Sequence, residues 1–347
     1  MKRSDSIASR RLQNQRLVGS RLRSPVEVVE WFGGVQAQDY TAAKWALALR
    51  QAKSTTDEAV ERAIDEGRIL RTHVLRPTWH FVSAADVHWM LELTAPRIHK
   101  TLTWGHGKLG LDLKLRARAE RVIERALSTH GCLTRAELAE HLARAGMRAK
   151  GVNLALLSMH AELNGVICSG PRRGKQSTYA LLAQRAPARK RFSRDEALGE
   201  LASRYLRSHG PATVRDFVWW SGLATADARR GIDIVRARSE VVDGLTYWSL
   251  RDARHRELAS PLVHLVPVYD EYLVAYRDLE AVPRGKAFWG ILPQAIIVDG
   301  HTAGTWKPIR RRDRVDVELK FGRKVTRAER EALDQAIERY RNFAKQL

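Results

Sequence analysis

Two glutamines separated by one alanine, Gln36-Ala37-Gln38, are the residues whose type and spacing could do chemistry. Each side-chain amide offers one acceptor oxygen and two N–H donors. An amide does not titrate near neutral pH, so neither glutamine can serve as a conventional general base. The residues alone leave two other interpretations open. They are bidentate pairing with adenine in the major groove of a nucleic acid, and capping or solvation of a helix end.

Asp39 and His80 are the titratable residues that could support such a site. Asp39 follows the glutamine pair directly, and its carboxylate is the candidate base if the amides prove dispensable. The alternative is a structural role at the start of a helix. His80 lies among apolar residues in a strand-like segment, where a lone histidine is a satisfied core residue more often than a ligand. We find no metal geometry for it or its neighbours and predict neither a metal nor a cofactor.

The elements around these residues follow a weak internal repeat. Residues 209–223 read HGPATVRDFVWWSGL and residues 130–142 read HGCLTRAELAEHL. In both segments a threonine stands four residues after the histidine, directly before an amphipathic stretch. A threonine hydroxyl there can accept a hydrogen bond from the first helical turn, and Glu137 completes a capping box in the second segment. The sequence therefore predicts helices that begin after Thr134 and Thr213.

A third copy of the pattern carries the glutamines. At a fixed offset of 188, residues 25–39 align with residues 213–227, so that Trp31 meets Trp219 and Asp39 meets Asp227. A helix, a glycine turn and a second helix form a helix-turn-helix pattern. This alignment predicts that the two glutamines lie at the start of the second, recognition-type helix.

Each copy is followed by two strand-like runs. Together these patterns predict an α+β fold with three tandem winged helix-turn-helix domains and a small C-terminal β-barrel-like domain that ends in a helix. The expected domains are 1–110, carrying the Gln-x-Gln motif, then 111–184, 185–252 and 253–347. Within the last, a helix should start at Thr326 with the apolar stripe Leu333, Ile337, Tyr340, Ala344 and Leu347.

Composition restricts the function classes. Sixty Lys and Arg against 39 Asp and Glu leave a formal net charge of +21, which indicates a polyanionic partner, with nucleic acid first. The most apolar stretch, 262–276, is interrupted by His264, Asp270 and Glu271, and no run is long enough to span a bilayer. Only two cysteines occur, without a CxxC pair, so a disulfide framework is not expected. We predict a cytoplasmic, membrane-free monomer that associates with the nucleoid when it is bound to DNA.

Two basic runs are candidate contacts to phosphate. Arg172, Arg173 and Lys175 fall at the tip of the second predicted wing. Arg310, Arg311 and Arg312 follow a strand-like segment near the C-terminus. A charge run is also a common solvated face, but at this net charge several basic side chains should line a nucleic-acid path, the wing tip first.

Several runs resemble one family. GGVQAQDYTAAKWALALR (33–50), LRPTWHFVSAADVHWMLELTAPR (75–97), HLVPVYDEYLVAYRD (264–278) and VDGHTAGTWK (298–307) are similar, in order, to the AlkZ/YcaQ-type winged-helix DNA glycosylases. The most specific match is the Gln-small-Gln motif, which marks the catalytic site of the AlkZ branch; a second branch carries Gln-x-Asp, which is absent here. The resemblance implies three winged helices and a β-barrel around a DNA channel, excision of N7-alkylated purines and unhooking of interstrand crosslinks.

The implied chemistry suits two amides. An N7-alkylated guanine already carries a positive charge, so its departure needs no general acid, and Gln36 and Gln38 would position water and stabilise an oxocarbenium-like sugar. The expected partner is double-stranded DNA with alkylated or crosslinked purines, and the expected enzyme is a monofunctional glycosylase. The alternative is a non-catalytic winged-helix DNA-binding protein or regulator, which explains the charge and the repeats equally well. It does not explain why one copy alone carries the glutamine pair.

Overall fold

The computed structural model describes residues 3–52, 55–187, 190–251, 255–277, 294–312 and 314–345. Contacts group the chain into two compact units. The first comprises Met1–Glu61, Leu198–Trp220 and Ala224–Leu347, and the second comprises Arg62–Ala197 with Ser221–Leu223. The division into four domains stays our prediction.

The elements of the first third of the chain are α1 (Arg3–Asn14), α2 (Pro25–Phe32), β1 (Val35–Gln36), α3 (Tyr40–Ala48), α4 (Asp57–Asp65), β2 (Ile69–His73), β3 (Trp79–Ser83) and α5 (Val87–Lys108). Next come α6 (Leu113–His130), β4 (Cys132–Thr134), α7 (Arg135–Arg144), α8 (Gly151–Leu163), β5 (Ile167–Ser169), β6 (Thr178–Leu181) and α9 (Leu182–Arg185). Then follow α10 (Arg194–His209), α11 (Val214–Ser221), α12 (Thr225–Ile234), β7 (Arg238–Val242) and β8 (Leu245–Ser249). The last elements are β9 (Val263–Val266), α13 (Glu271–Val274), β10 (Ala295–Val298), β11 (His301–Arg310), β12 (Val315–Phe321) and α14 (Arg327–Ala344).

The helix starts predicted from the repeat are confirmed. Thr134 caps α7, and Glu137 returns the bond to complete a capping box. Thr213 and Asp216 make the same reciprocal pair at the start of α11, with distances of 3.1 and 2.9 Å. A hydroxyl and a carboxylate spaced three residues apart satisfy two backbone N–H groups that the first turn leaves unpaired.

The mixed α+β class is confirmed, and so are the three predicted strand pairs. β2 pairs with β3, β5 with β6, and β7 with β8, all antiparallel. In the second unit β4 joins the β6 edge, giving the strand order β4-β6-β5. The tandem winged-helix arrangement itself stays a prediction.

The C-terminal sheet is not a barrel. Its four antiparallel strands run in the order β12-β11-β10-β9, and within the described residues no bond joins the two outer strands. Closure is unnecessary because α14 packs against the sheet and buries Leu333, Ile337 and Tyr340 in one core with Trp45 of α3. The predicted stripe of α14 is thus confirmed in these positions and at Ala344, while Leu347 lies outside the described residues. Among the described helices, none is both long and apolar enough to cross a membrane.

Candidate functional site

The glutamine pair lies in an extended segment between two helices. Helix α2 ends at Gly33, whose φ of 82° is in the left-handed region. Gln36 belongs to the short strand β1, and Gln38 lies in a bend before α3, which starts at Tyr40. The prediction that the pair begins a recognition helix is therefore wrong. A helix cannot start at Gln36 because the chain there is extended and its N–H is bonded to a distant carboxylate.

That carboxylate belongs to Glu271 at the start of α13. Gln36 N donates to Glu271 Oε1 at 2.6 Å. Glu271 Oε2 accepts from Trp220 Nε1 at 3.0 Å and lies 3.1 Å from His209 Nε2. Since a carboxylate accepts and does not donate, this contact requires the tautomer of His209 with its proton on Nε2. Glu271 is 1% exposed, so a buried acceptor holds the backbone at Gln36.

The Gln36 side chain presents an acceptor that the protein does not use. The residue is 8% exposed, and its Oε1 is buried without a hydrogen-bond partner among the described residues. A buried amide oxygen without a partner costs about 1–3 kcal/mol. A bound water or ligand can supply the missing partner of such a group. Gln36 Oε1 is thus a buried acceptor that no described residue uses.

Aromatic rings enclose the imidazole that contacts Glu271. The His209 ring lies 4.8 Å from Tyr205, 5.1 Å from Phe32 and 5.2 Å from Trp220, measured between centroids. Burial among these rings lowers the pKa of His209, although its bond to Glu271 acts in the opposite direction. A neutral imidazole is the form that donates one proton to Glu271 and leaves Nδ1 to the Ser208 hydroxyl, 2.8 Å away.

A buried ion pair fixes the turn that carries Glu271. Both oxygens of Asp270 accept from Arg50, each at 2.8 Å, and both side chains are almost fully buried. Arg50 also donates to Gln15 Oε1 at 2.8 Å. A bidentate arginine–carboxylate pair sets orientation as well as position. Arg50 therefore ties the end of α3 to the turn that supplies the carboxylate for Gln36.

Gln38 and Asp39 complete the segment on its exposed side. Both are exposed, in contrast to Gln36. The Asp39 carboxylate accepts from Ala42 N at 2.9 Å and caps α3. The structural interpretation of Asp39, a residue at a helix start, matches this geometry, because a capping carboxylate satisfies an unpaired N–H of the first turn.

His80 lies in the second unit, in strand β3 opposite Thr72 of β2. It is fully buried, and its Nδ1 is 2.9 Å from Thr78 O. These contacts are those of a core histidine. The structure places it in a different unit from Gln36, Gln38 and Asp39, which share one segment.

Some of the basic side chains predicted to contact phosphate already donate hydrogen bonds to other residues of the protein. At the tip between β5 and β6, Arg173 donates to Glu137 Oε1 at 2.7 Å and to Cys132 O at 3.1 Å. The hydrogen bond from the Thr134 backbone N–H, and then the one from Arg173, lower the pKa of Glu137 to about 2. Arg172 donates to the backbone carbonyl of Lys175, and Lys175 itself is exposed.

The other basic run lies in the first unit at the end of β11. Arg310 is the last residue of β11, and Arg310, Arg311 and Arg312 are all exposed. Arg311 Nε is 2.5 Å from Asp316 Oδ2, so its charge is shared with a carboxylate of β12. Within the described residues, no three His, Cys, Asp or Glu side chains are grouped as a metal would require.

Sequence reasoning missed Glu271, Asp270, Arg50 and His209. One signal was available: Asp270 and Glu271 are adjacent acids inside the most apolar stretch of the chain. Carboxylates are almost never fully buried unless they are paired, so two acids in a buried run point to specific partners. The identity of those partners depends on tertiary contacts between distant parts of the chain and could not be predicted.

Comparisons with known proteins agree with this architecture. A family model described as DNA glycosylase AlkZ-like matches residues 29–343. The interstrand DNA cross-link repair glycosylase of Streptomyces sahachiroi is 27% identical over 328 residues, covering 86% of this chain and 85% of the relative. The solved structure of the Streptomyces sahachiroi DNA glycosylase AlkZ superposes with a TM-score of 0.79 at 22% identity, over 99% of this chain and 97% of that one. The family match spans most of the chain and includes the Gln36 segment, Glu271 and α14, and the chain therefore belongs to the AlkZ-like DNA glycosylase family.

Proposed function

We propose that this protein hydrolyses the N-glycosidic bond of N7-alkylated purines in double-stranded DNA, and that it unhooks interstrand crosslinks formed through such purines. Gln36 and Gln38 are the proposed catalytic residues. Membership of the AlkZ-like DNA glycosylase family supports the reaction class. The name of the Streptomyces sahachiroi relative, a cross-link repair glycosylase, supports the crosslinked substrate.

One observation carries the proposal: Gln36 Oε1 is a buried acceptor without a partner among the described residues. N7-alkylation gives the purine a positive charge, so the base can leave without a proton from the enzyme. The remaining tasks are to stabilise positive charge on the sugar and to hold a water for attack at C1′. A fixed amide oxygen can face that charge or accept from that water, and neither task requires titration.

The contacts that hold Gln36 suit such a task. Glu271 fixes the backbone N–H of Gln36 at 2.6 Å, and Arg50 fixes the turn that holds Glu271. Preorganised polar groups act best when they need not move during the reaction. Gln38, two residues further along the non-helical segment and exposed, is proposed to hold the attacking water together with Gln36.

The proposal requires contacts to DNA phosphates, which fix the register of the protein on the duplex without reading sequence. We assign these contacts to the exposed basic runs, namely Arg172, Arg173 and Lys175, together with Arg310, Arg311 and Arg312. Asp39 and His80 are proposed as supporting residues through the helix cap of α3 and the core of β2 and β3.

The test is base excision from a defined lesion. Duplex DNA with one N7-methylguanine is incubated with excess protein, and abasic sites are scored by alkaline strand scission. We expect lesion-dependent breaks, and a rate about 10²- to 10³-fold lower in Gln36→Ala or Gln38→Ala, as is found when one preorganised polar group is removed. Gln335→Ala, at an exposed position of α14, is the matched control and should keep the wild-type rate.

Binding is measured beside excision on the same duplex. Loss of breaks at unchanged affinity supports the proposed roles of the glutamines. Binding without breaks in the wild-type protein would contradict the substrate class and favour a non-catalytic DNA-binding protein. A duplex with an N7-linked interstrand crosslink, scored by strand separation, then tests the wider substrate range.

A further inference from the structure

Five arginines surround one cavity of the first unit. The cavity has a volume of about 710 Å³. Its basic lining residues are Arg16, Arg207, Arg236, Arg251 and Arg256. Its described lining contains Trp31 but neither aspartate nor glutamate. None of these residues belongs to the basic runs predicted from the sequence.

Trp31 holds two of the guanidinium groups in place. The Arg16 Cζ lies 3.9 Å from the centroid of the indole ring, and the Arg207 Cζ lies 4.6 Å from it. The indole is itself fixed, because Trp31 Nε1 donates to Asn14 O at 2.8 Å. One terminal nitrogen of each guanidinium also donates to the backbone, Arg16 Nη1 to Ser20 O at 3.2 Å and Arg207 Nη2 to Trp31 O at 3.3 Å. Stacking and these bonds fix the planes of both groups and leave their other N–H groups for a ligand. Arg16 and Arg207 are therefore oriented before any ligand arrives.

Among the described residues, no carboxylate lines the cavity to balance its positive charge. Within the described part of the chain, no salt bridge joins any of the five arginines to a carboxylate. The Nε atoms of Arg16 and Arg207 are buried without hydrogen-bond partners there. Burial, and then the neighbouring Arg207 cation, lower the pKa of Arg16. Like charges in a half-buried cavity repel one another and are poorly solvated, and a bound anion would relieve both costs.

We propose that this cavity binds phosphate groups of the DNA backbone. Guanidinium forks match the oxygens of a phosphate in geometry and charge, and several forks around one cavity suit adjacent phosphates of a strand. The net charge of +21 and membership of a DNA glycosylase family make DNA the favoured source of phosphate. The inference rests on the proposed function only in taking DNA as the ligand. It requires no base excision.

The experiment measures binding to an undamaged, fluorescent duplex at several salt concentrations. Arg251→Gln/Arg256→Gln removes two exposed charges of the cavity. Arg23→Gln/Arg327→Gln is the matched control, because it removes the same charge from two exposed arginines that already pair with Glu27 and Glu331. Each phosphate contact contributes about 0.9 to the slope of log K against log salt. We expect the cavity variant to reduce that slope by about 2 and to bind at least tenfold more weakly at low salt, with the control unchanged.

A second variant tests the interior of the cavity. Arg16→Gln/Arg207→Gln removes the two stacked guanidinium groups, and circular dichroism checks that it folds. We expect weaker duplex binding here as well. Wild-type binding and slope in both folded variants would overturn the proposal.

Free phosphates are the other source of the same chemistry. Inorganic phosphate and ATP are titrated against the wild-type protein by calorimetry. Saturable binding of either, lost in the cavity variants at unchanged duplex affinity, would overturn DNA as the source. Duplex binding that depends on the cavity, without saturable ATP binding, supports the proposal.

The same measurements distinguish failure of the glycosylase proposal from failure of the cavity proposal. In the cavity variants, weaker duplex binding should raise the protein concentration that gives half-maximal excision. A wild-type protein that binds undamaged duplex through the cavity but excises nothing would contradict the glycosylase substrate and leave the cavity proposal intact.

Discussion

The segment that carries the glutamines and its aligned segment 188 residues later share a pattern but fold differently. Between α11 and α12 three residues, 222–224, connect the two helices. Between α2 and α3 seven residues, 33–39, make the same connection. Both connections use a left-handed glycine, Gly222 at φ 68° and Gly33 at φ 82°. At the offset of 188, α2 ends one residue earlier than α11, and α3 starts three residues later than α12.

The longer connection places Gln36 and Gln38 outside any helix. Their counterparts Ala224 and Ala226 lie at the cap and in the first turn of α12, where small side chains suffice. Asp39 caps α3, whereas its counterpart Asp227 lies within the first turn of α12. Both copies of the repeat therefore keep their two helices. In the copy with the glutamines, the residues that align with the first turn of α12 form an extended segment with polar side chains instead.

The largest expected effect comes from removing the buried acceptor. Glu271→Ala leaves the Gln36 N–H, the indole and the imidazole without their shared partner. Breaking one side of a buried, charged network costs about 3–5 kcal/mol, so the free energy of unfolding should fall by that amount. Urea denaturation of the full chain measures it. Lesion excision should fall together with stability, because Gln36 loses its backbone anchor.

Glu271→Gln separates positioning from stability. The amide keeps one acceptor oxygen and the same shape, so the fold should survive with a smaller loss. We expect excision at saturating protein to fall while duplex affinity stays unchanged. Wild-type excision in a folded Glu271→Gln protein would contradict the positioning role.

The two turn glycines should differ in their tolerance of a methyl group. A Cβ on Gly222 would lie 2.1 Å from the backbone oxygen of Leu75, whereas a Cβ on Gly33 would lie 3.3 Å from the flexible side chain of Arg204. The left-handed backbone costs each alanine about 1–2 kcal/mol, and Gly222→Ala adds about 1–3 kcal/mol of overpacking. In thermal and urea unfolding, Gly222→Ala should have a clearly lower melting temperature and free energy of unfolding than Gly33→Ala. The reverse order would contradict the difference in backbone contact between the two turns.

Buried His209 predicts a pH dependence near the glutamine segment. Burial lowers its pKa in the folded protein below the ordinary value of 6.5, so the unfolded chain takes up a proton first as the pH falls. The contribution of neutral His209 to the free energy of unfolding is fully present above about pH 6.5. As the pH falls below that value, the free energy of unfolding decreases by up to about 1.4 kcal/mol per pH unit, since one proton is involved. His209→Gln should flatten the dependence of the unfolding free energy on pH below about pH 6.5.

The smallest effect separates the two roles of Asp39. Asp39→Ala removes the cap of α3 and should cost about 1 kcal/mol, whereas Asp39→Asn keeps a capping oxygen and should cost only a few tenths. If the residue acts only as a cap, Asp39→Asn excises N7-methylguanine at the wild-type rate. A large loss of excision in a stable Asp39→Asn protein would instead identify the carboxylate as the base.

Much of the secondary structure could be predicted from local pattern. Thr134 with Glu137, and Thr326 with Glu329, predict helix starts because the capping bonds involve residues only three positions apart. Strand pairs such as β7 and β8 follow from a short turn between two strand-like runs. Local pattern could not decide whether the C-terminal strands form a barrel, since closure depends on whether the outer strands meet. Here α14 covers the sheet instead.

The sequence by itself determined the helix starts after Thr134, Thr213 and Thr326, the strand pairs of the repeats and the net positive charge, because each depends on neighbouring residues or on composition. Only the tertiary structure decided that Gln36 is buried and Gln38 exposed, and that Glu271 holds Gln36 from 235 residues away. It also gathered Arg16, Arg207 and Arg251 around one cavity. Such long-range pairs form because a buried polar group must find a partner wherever the fold brings one, and no local pattern names that partner.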